Sequence, residues 1–241
     1  MTGPFFIIAL IVLMGGISQG VCGFGSGIFA TLVYSAYLPV PQAAAVTSII
    51  NVFLTLPLAL RYRRYLTPRK IIVPFLVYSV SSLLIIRASL DLDGALLKRI
   101  FGGFLLLLCL YHFTLSGKQV RRWTPWMAAG TFIISGLGSG LFAVGGPLMV
   151  LYFLAHTDSH EEFLADTQMI FTINTAPTLV LRLSSDLLNA GHIRYLVPGL
   201  FGTVIGFILA GRIVGHISKE RLTKIVYIAV GLSGMLYLLG F

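Results

Sequence analysis

Charge is scarce in this sequence. Only 10% of the 241 residues are charged, whereas 57% are apolar. A soluble domain carries about 25% charged residues, which cover its surface, so this composition excludes a water-soluble globular protein. The apolar runs are continuous rather than alternating, which excludes a membrane β-barrel. Helices are then the only elements that satisfy their own backbone in lipid. We therefore expect an all-α integral membrane protein.

Groups that carry catalysis or bind metals are also few. The two cysteines, Cys22 and Cys109, lie in apolar segments without metal-ligand spacing, and we expect two buried thiols. The five histidines are scattered, and neither an HExxH spacing nor a P-loop lysine motif occurs. We therefore expect no enzyme, no cofactor or metal, and no ATP-driven step within this chain.

Positive charge is present, but its placement excludes a nucleic-acid partner. The net charge is +9, and the basic residues lie in short loops between apolar segments. This pattern is typical of the cytoplasmic loops of membrane proteins rather than of a binding patch. The N-terminal segment lacks the basic region of a cleavable signal, so we expect it to remain as the first helix.

The apolar segments form two similar series. In the first, a Gly-rich stretch over about residues 4–38 precedes spans near 41–60, 71–88 and 97–114. In the second, a Gly-rich stretch over about residues 125–155 precedes spans near 163–181, 194–211 and 223–240. A membrane-crossing helix needs about 20 residues. Each Gly-rich stretch is therefore too long for one helix and short for two.

The two series align as an internal repeat. Gly16–Phe29 aligns with Gly136–Met149 at a constant offset of 120 residues, which pairs Gly25 with Gly145. The offset drifts later and pairs Pro74 with Pro198. We expect one transmembrane domain made of two repeats, residues 1–117 and 118–241.

Loop charge favours inversion of the second repeat. If each Gly-rich stretch returns to the side it entered from, loops 61–70, 118–122 and 212–224 share one side and carry twelve of the 17 Lys and Arg. The parallel arrangement places only ten on one side. The positive-inside rule therefore favours two inverted repeats, each beginning with a Gly-broken bent or re-entrant helical hairpin. Arg182 would then lie in an external loop.

Glycine clusters in the two Gly-rich stretches are the first candidate site. Gly16, Gly20, Gly136 and Gly140 fit close helix packing. The clusters "CGFGSG" and "AVGGP" instead interrupt a helix, and the exposed amides of a half-helix N-terminus suit an anion. The candidate substrate-binding residues in these clusters are Gly23, Gly25, Ser26, Gly27, Gly145 and Gly146.

Polar side chains follow each cluster in the next span. For scattered threonines we prefer ordinary interhelical hydrogen bonds. Ser48, Asn51, Gln168 and Asn174 are richer in donors and lie near the breaks, so lining of a cavity and helix packing remain open alternatives. Asp166 is the one acid expected inside a span, either as a coupling residue or as a solvated interfacial carboxylate.

The motifs in their order resemble a known family. "GFGSG" with "AAAVTS" in the first half, and "SGLFAVGGPLMV" with "ADTQ" in the second, resemble the TauE/SafE permeases, also called sulfite exporters. The resemblance implies export of small anions, sulfite or organosulfonates, across a prokaryotic cytoplasmic membrane. The chain departs from the common pattern of the family in two ways at the expected pocket. The second break has Gly146-Pro147 where the first has Ser26-Gly27, and the second half has Thr167-Gln168 in place of Thr-Ser.

We therefore expect a secondary transporter that binds a small anion between the two repeats and works by alternating access. H⁺ or Na⁺ coupling is compatible with this reading. The alternatives are a passive channel, a carrier for another small solute, and a membrane assembly subunit that transports nothing. Substrate, direction, coupling ion and oligomeric state do not follow from the residues.

Overall fold

The computed structural model describes residues 2–115, 123–213 and 219–239. Every regular element within these ranges is helical, which confirms the all-α expectation. The helices are α1 Thr2–Cys22, α2 Ser26–Tyr34, α3 Val40–Tyr62, α4 Pro68–Ser89, α5 Gly94–Leu115, α6 Pro125–Phe142, α7 Gly146–His156, α8 His160–Ser184, α9 Ile193–Ile213 and α10 Lys219–Leu239. Short 3-10 turns, Arg63–Tyr65 and Ala190–His192, precede α4 and α9.

Length and apolar character allow several helices to cross a bilayer. Within the described ranges, five segments are long and apolar enough: Phe5–Cys22, Val40–Tyr65, Pro68–Ser89, Gly94–Thr114 and Ala190–Arg212. Gly146–His156 and Lys224–Leu239 are shorter apolar helices. Large apolar side chains such as Phe6, Leu84 and Leu110 are exposed, as expected for a surface that faces lipid. The protein is thus a multi-pass membrane protein.

Both Gly-rich stretches are divided between two helices. In the first, the chain leaves α1 at Cys22 and enters α2 at Ser26, with Gly23 at φ 80° and Gly25 at φ 119°. In the second, α6 ends at Phe142 and Ala143 adopts a left-handed φ of 55°. Glycine tolerates positive φ without steric penalty, which explains why the first break is built from glycines.

Glycines bring two helix pairs into close contact. A Cβ on Gly16 would meet the carbonyl oxygen of Thr203 in α9, and a Cβ on Gly136 would lie 2.5 Å from that of Tyr78 in α4. Gly20 and Gly140 lie equally close to α9 and α4. The packing prediction for these four glycines is confirmed. The pairs α1–α9 and α4–α6 are therefore joined backbone to backbone.

The remaining long helices pair as α5 with α10 and α3 with α8. Gly102 of α5 packs against Gly234 and Leu238 of α10. Cys22 is buried, Cys109 is half-buried, and neither forms a disulfide. The predicted basic loop at residues 118–122, and residues 214–218 of the loop at 212–224, lie outside the described residues.

Candidate functional site

A cavity of about 60 Å³ lies where the two helix breaks approach each other. A water molecule needs about 10–15 Å³ by this measure, so the cavity accommodates a small polyatomic ion or a few waters. Eight of the ten predicted binding residues line it: Gly25, Ser26, Gly27, Ser48, Asn51, Gly145, Gly146 and Asn174. Gln19, Thr55, Tyr78, Ser139, Thr175 and Thr178 also line it but were not among the predicted residues.

Two helices begin at the cavity wall. Gly25 is the N-cap of α2 and Gly145 is the N-cap of α7, and neither cap has a side-chain hydrogen bond. The first amides of a helix have no intrahelical acceptor, and the helix dipole places partial positive charge at that end. Two such ends therefore contribute partial positive charge at the cavity, although no Lys or Arg of the described residues lines it.

Asn51 connects the two breaks. Its Oδ1 accepts a hydrogen bond from Ser26 Oγ at 2.8 Å, and its Nδ2 donates to the carbonyl oxygen of Ala143 at 3.4 Å. The backbones meet here as well, because a Cβ on Gly27 would contact that same carbonyl. A side chain of α3 thus holds the N-terminus of α2 against the end of α6.

Gly23 and Gln168 do not line the cavity; they lie behind the first break. Gln168 Nε2 donates to the carbonyl oxygen of Gly23 at 2.9 Å, and Gln19 Nε2 donates to Gln168 Oε1 at 3.0 Å. Gln19 Oε1 also accepts from Ser26 Oγ at 3.1 Å. These two buried amides hold the backbone of the break, and of the two only Gln19 also lines the cavity.

Asn174 of α8 lies beside the second break and bonds to α4 and α6. Its Oδ1 accepts hydrogen bonds from Ser79 Oγ at 2.8 Å and Ser82 Oγ at 3.0 Å, both in α4. Its Nδ2 donates to Ser139 Oγ at 3.4 Å. Ser139 stands 120 residues after Gln19, so the repeat offset, applied to polar residues, could have identified both.

An acidic and basic cluster lies at the start of α8, away from the cavity. Asp166 is fully buried; its Oδ1 accepts from the Thr67 amide at 2.9 Å and its Oδ2 has no hydrogen-bond partner. The Asp166 side chain is thus shielded from solvent, next to the basic segment that contains Thr67. Glu162 binds Lys70 Nζ at 2.7 Å, and this hydrogen bond holds the pKa of the Glu162 carboxyl below its usual range.

Arg182 corrects the sequence-based placement in an external loop. It lies in the last turn of α8 and is only 1% exposed. Its guanidinium donates to the carbonyl oxygens of Pro41 at 3.4 Å, Ser139 at 3.3 Å and Gly140. The charge suggested a helix end in water, but α8 continues past the predicted span and carries Arg182 into the protein.

Comparison with known proteins identifies the family of the chain. A family model, Sulfite exporter TauE/SafE, matches residues 8–237. The chain belongs to the sulfite exporter TauE/SafE family. The match covers nearly the whole chain, both breaks included, and confirms the resemblance drawn from the sequence motifs. The chain matches no curated protein and no solved structure.

TauE/SafE proteins form a family of transporters, and the cavity in this chain has an unusual composition for the interior of a helical membrane bundle. Side-chain amides and hydroxyls are rare inside membrane bundles, because burial of a polar group without a hydrogen-bond partner is unfavourable. Here they cluster around one cavity inside the bundle. A transporter requires such a polar position along its path through the membrane.

Proposed function

We propose that the protein is a secondary transporter that exports small anions, sulfite or organosulfonates, by alternating access between two repeats, residues 1–117 and 118–241. The substrate binds in the cavity between the breaks. The observation that carries the proposal is that α2 and α7, one from each repeat, both begin at this cavity. Helix N-termini that converge on one polar space are suited to an anion.

Hydroxyl donors at the wall support the same site. Thr55 Oγ1 is buried without a hydrogen-bond partner, and Thr55 lines the cavity. A hydroxyl can donate to an oxyanion in a space that excludes bulk water. The site thus combines fixed backbone dipoles with neutral donors, which hold an anion without the permanent ion pair that would slow its release.

Helix directions support the inverted relation of the repeats. In the α1–α9 pair, Gly202 meets Ala9 and Gly206 meets Leu13, so these helices run in parallel. In the α4–α6 pair, Gly136 meets Tyr78 and Gly140 meets Ser82, again in parallel. The fourth helix of each repeat thus packs against the opening helix of the other, as a two-fold exchange symmetry requires.

Corresponding helices run antiparallel. In α5 and α10, Gly102 meets Leu238 whereas Cys109 meets Gly231. In α3 and α8, Arg182 reaches Pro41 at one end, and Thr67, just after α3, reaches Asp166 at the other. Equivalent helices point the same way in parallel repeats and opposite ways in inverted ones, so this pairing favours inversion.

The basic segment from Arg61 to Lys70 sets the proposed orientation. Five of its ten residues are Lys or Arg, and the positive-inside rule places it in the cytoplasm of a prokaryotic cell. The Asp166 cluster then lies at the cytoplasmic end of α8 and Arg182 at the outer end. An exported anion would pass from the first end to the second.

Asp166 is the proposed coupling residue. A buried carboxylate with one unpartnered oxygen is unfavourable as an isolated anion, and binding of H⁺ or Na⁺ would neutralise it. Its Oδ1 holds the amide of Thr67, in the segment that enters α4. A change in its charge would therefore act on the contact between the two repeats at this end.

The test is anion binding and flux by purified protein in liposomes. Asn51→Ala should weaken binding of sulfite by about 1–3 kcal/mol through loss of a buried donor. The isosteric Asn51→Asp should abolish binding, since it adds negative charge at the wall. Saturable flux driven by a counter-gradient indicates a carrier, whereas unsaturable flux indicates a channel. If wild-type protein neither binds nor moves any small anion, the assembly-subunit alternative stands instead.

Substitution of Gly25 or Gly145 does not test the substrate pocket cleanly, although both glycines lie in the candidate site. Gly25 has a left-handed φ, and its Cβ would meet Ser18. A Cβ on Gly145 would lie 2.7 Å from the carbonyl oxygen of Ser135. Leucine at either position would disturb the helices themselves, so loss of transport would not identify a substrate pocket.

A further inference from the structure

We propose that Arg182 is the specificity-determining charge of this transporter. Its buried guanidinium makes the cavity prefer doubly charged anions over singly charged ones. The inference rests on the proposed function and adds to it the charge class of the substrate and the residue that selects it. Arg182, the residue that selects the substrate charge, lies outside the cavity wall, one helical turn beyond Thr178.

Arg182 is a buried cation without a counter-ion among the described residues. No carboxylate oxygen in residues 5–114, 123–212 and 224–239, whose side chains the structure describes, forms a salt bridge with it, and its Nε has no hydrogen-bond partner. Its contacts are the carbonyl oxygens of Pro41, Ser139 and Gly140. The last two belong to α6, whose C-terminal end carries partial negative charge. Carbonyl dipoles only partly offset a full positive charge in a low-dielectric interior.

Its position directs this charge toward the cavity. Thr178 and Ser139 both line the cavity. Thr178 precedes Arg182 by one turn of α8, about 6 Å along the helix, and Ser139 supplies one of the carbonyl acceptors. The solvent-filled surroundings that would screen an exposed arginine are absent at a side chain that is 1% exposed.

A clamp between helices is the alternative role, and it does not need the charge. Arg182 joins α8 to α6 and to the start of α3. A neutral glutamine amide at the same place also donates to carbonyl oxygens. Only the guanidinium, however, adds an electrostatic attraction whose energy grows with the charge of the substrate. The distinguishing quantity is therefore the ratio of dianion to monoanion affinity.

Coulomb's law gives the expected size of the effect. At a separation of about 12 Å and an effective dielectric constant of about 20, one fixed charge changes the affinity for a monoanion about tenfold and for a dianion about a hundredfold. A clamp that merely shapes the site would weaken both anions by a similar factor.

The experiment measures binding of thiosulfate, a dianion, and methanesulfonate, a monoanion, to purified full-length protein. Arg182→Gln should reduce thiosulfate affinity about a hundredfold and methanesulfonate affinity about tenfold, whereas Arg182→Lys should keep the wild-type ratio. Arg194→Gln is the matched control because Arg194 is exposed, and it should leave both affinities unchanged. Equal losses for both anions in Arg182→Gln, or none, overturn the proposal.

Two further outcomes are kept apart. If wild-type protein binds neither anion, the proposed function has failed, and the inference fails with it. If Arg182→Gln does not fold, Gln42→Glu replaces it: Gln42 follows Pro41, contacts His192 and does not line the cavity. A carboxylate there should partly neutralise Arg182 and lower the thiosulfate to methanesulfonate ratio. An unchanged ratio in Gln42→Glu also overturns the proposal.

Discussion

Gln19 and Gln168 share a direct amide–amide hydrogen bond of 3.0 Å although 149 positions separate them in the chain. Gln19 lies at the end of α1 and Gln168 in α8, so the bond joins the opening helix of one half to the third helix of the other. Both amides also donate to the carbonyl oxygen of Gly23. One backbone carbonyl at the first break is therefore held from both halves.

Loss of this link should lower stability. Gln168→Leu keeps similar volume but removes the acceptor for Gln19 and the second donor to Gly23, and we expect a loss of about 1–3 kcal/mol. The melting temperature of detergent-solubilised protein should fall by several degrees. Thr131→Val is the control, since half-buried Thr131 donates to the Met127 carbonyl oxygen of its own helix. A melting temperature like that of wild type in Gln168→Leu would mean that the link is dispensable.

Glycine packing predicts opposite effects for the same substitution at different places. Gly16→Ala and Gly136→Ala should destabilise the protein, because each Cβ meets the backbone of a neighbouring helix. Gly103→Ala and Gly130→Ala should be neutral or stabilise by up to about 1 kcal/mol, since no atom lies within 4 Å of either Cβ. Thermal melting of the four variants checks this. Similar shifts in all four would contradict the close approach of α1 to α9 and of α4 to α6.

The orientation can be tested by cysteine labelling in intact cells. In a variant without Cys22 and Cys109, Arg64→Cys should resist a membrane-impermeant thiol reagent, and Arg194→Cys should react. Both arginines are exposed, so access is set by the side of the membrane. Permeabilised cells provide the control in which both should react. The reverse pattern in intact cells would invert the proposed direction of the protein.

Asp166 should control coupling rather than substrate affinity. Asp166→Asn keeps an oxygen for the Thr67 amide but removes the charge, and we expect loss of H⁺- or Na⁺-driven accumulation with anion affinity changed less than about threefold, because a neutral group no longer binds the ion. Asp158→Asn, at a side chain 94% exposed, is the control. Accumulation at the wild-type level in Asp166→Asn would remove this residue from the coupling step.

Much of the site followed from residue pattern because glycine clusters and lone polar residues stand out against apolar helices. Gly25, Ser26, Asn51 and Gly145 were found in this way, and they line the cavity. Tyr78 was missed because an aromatic residue in an apolar span has no such contrast. Its contact with Gly145 depends on how α4 packs against α6, which is long-range information.

Arg182 was missed for a different reason. A basic residue near the end of an apolar run normally marks the membrane boundary. Only the three-dimensional structure shows that the backbone carbonyl oxygens of Pro41 and Ser139 accept hydrogen bonds from the buried guanidinium. Whether two paired helices run parallel or antiparallel is likewise visible only in the three-dimensional structure. Loop charge favoured inversion, but the contacts that support it join residues far apart in the chain, such as Gly102 and Gly234.

The contact of Asn51 with Ala143 also has a consequence for biosynthesis. The ribosome completes α3 about 80 residues before α6 emerges in full, and until then the Asn51 amide group has no Ala143 carbonyl to bind. Unsatisfied polar groups are unfavourable in lipid, so the newly inserted first half must keep these side chains in contact with one another, with water or with the insertion machinery. Ser26 lies in the same half and donates a hydrogen bond to Asn51. This bond can form before α6 is synthesised, and it lowers the cost of holding Asn51 in the membrane until then.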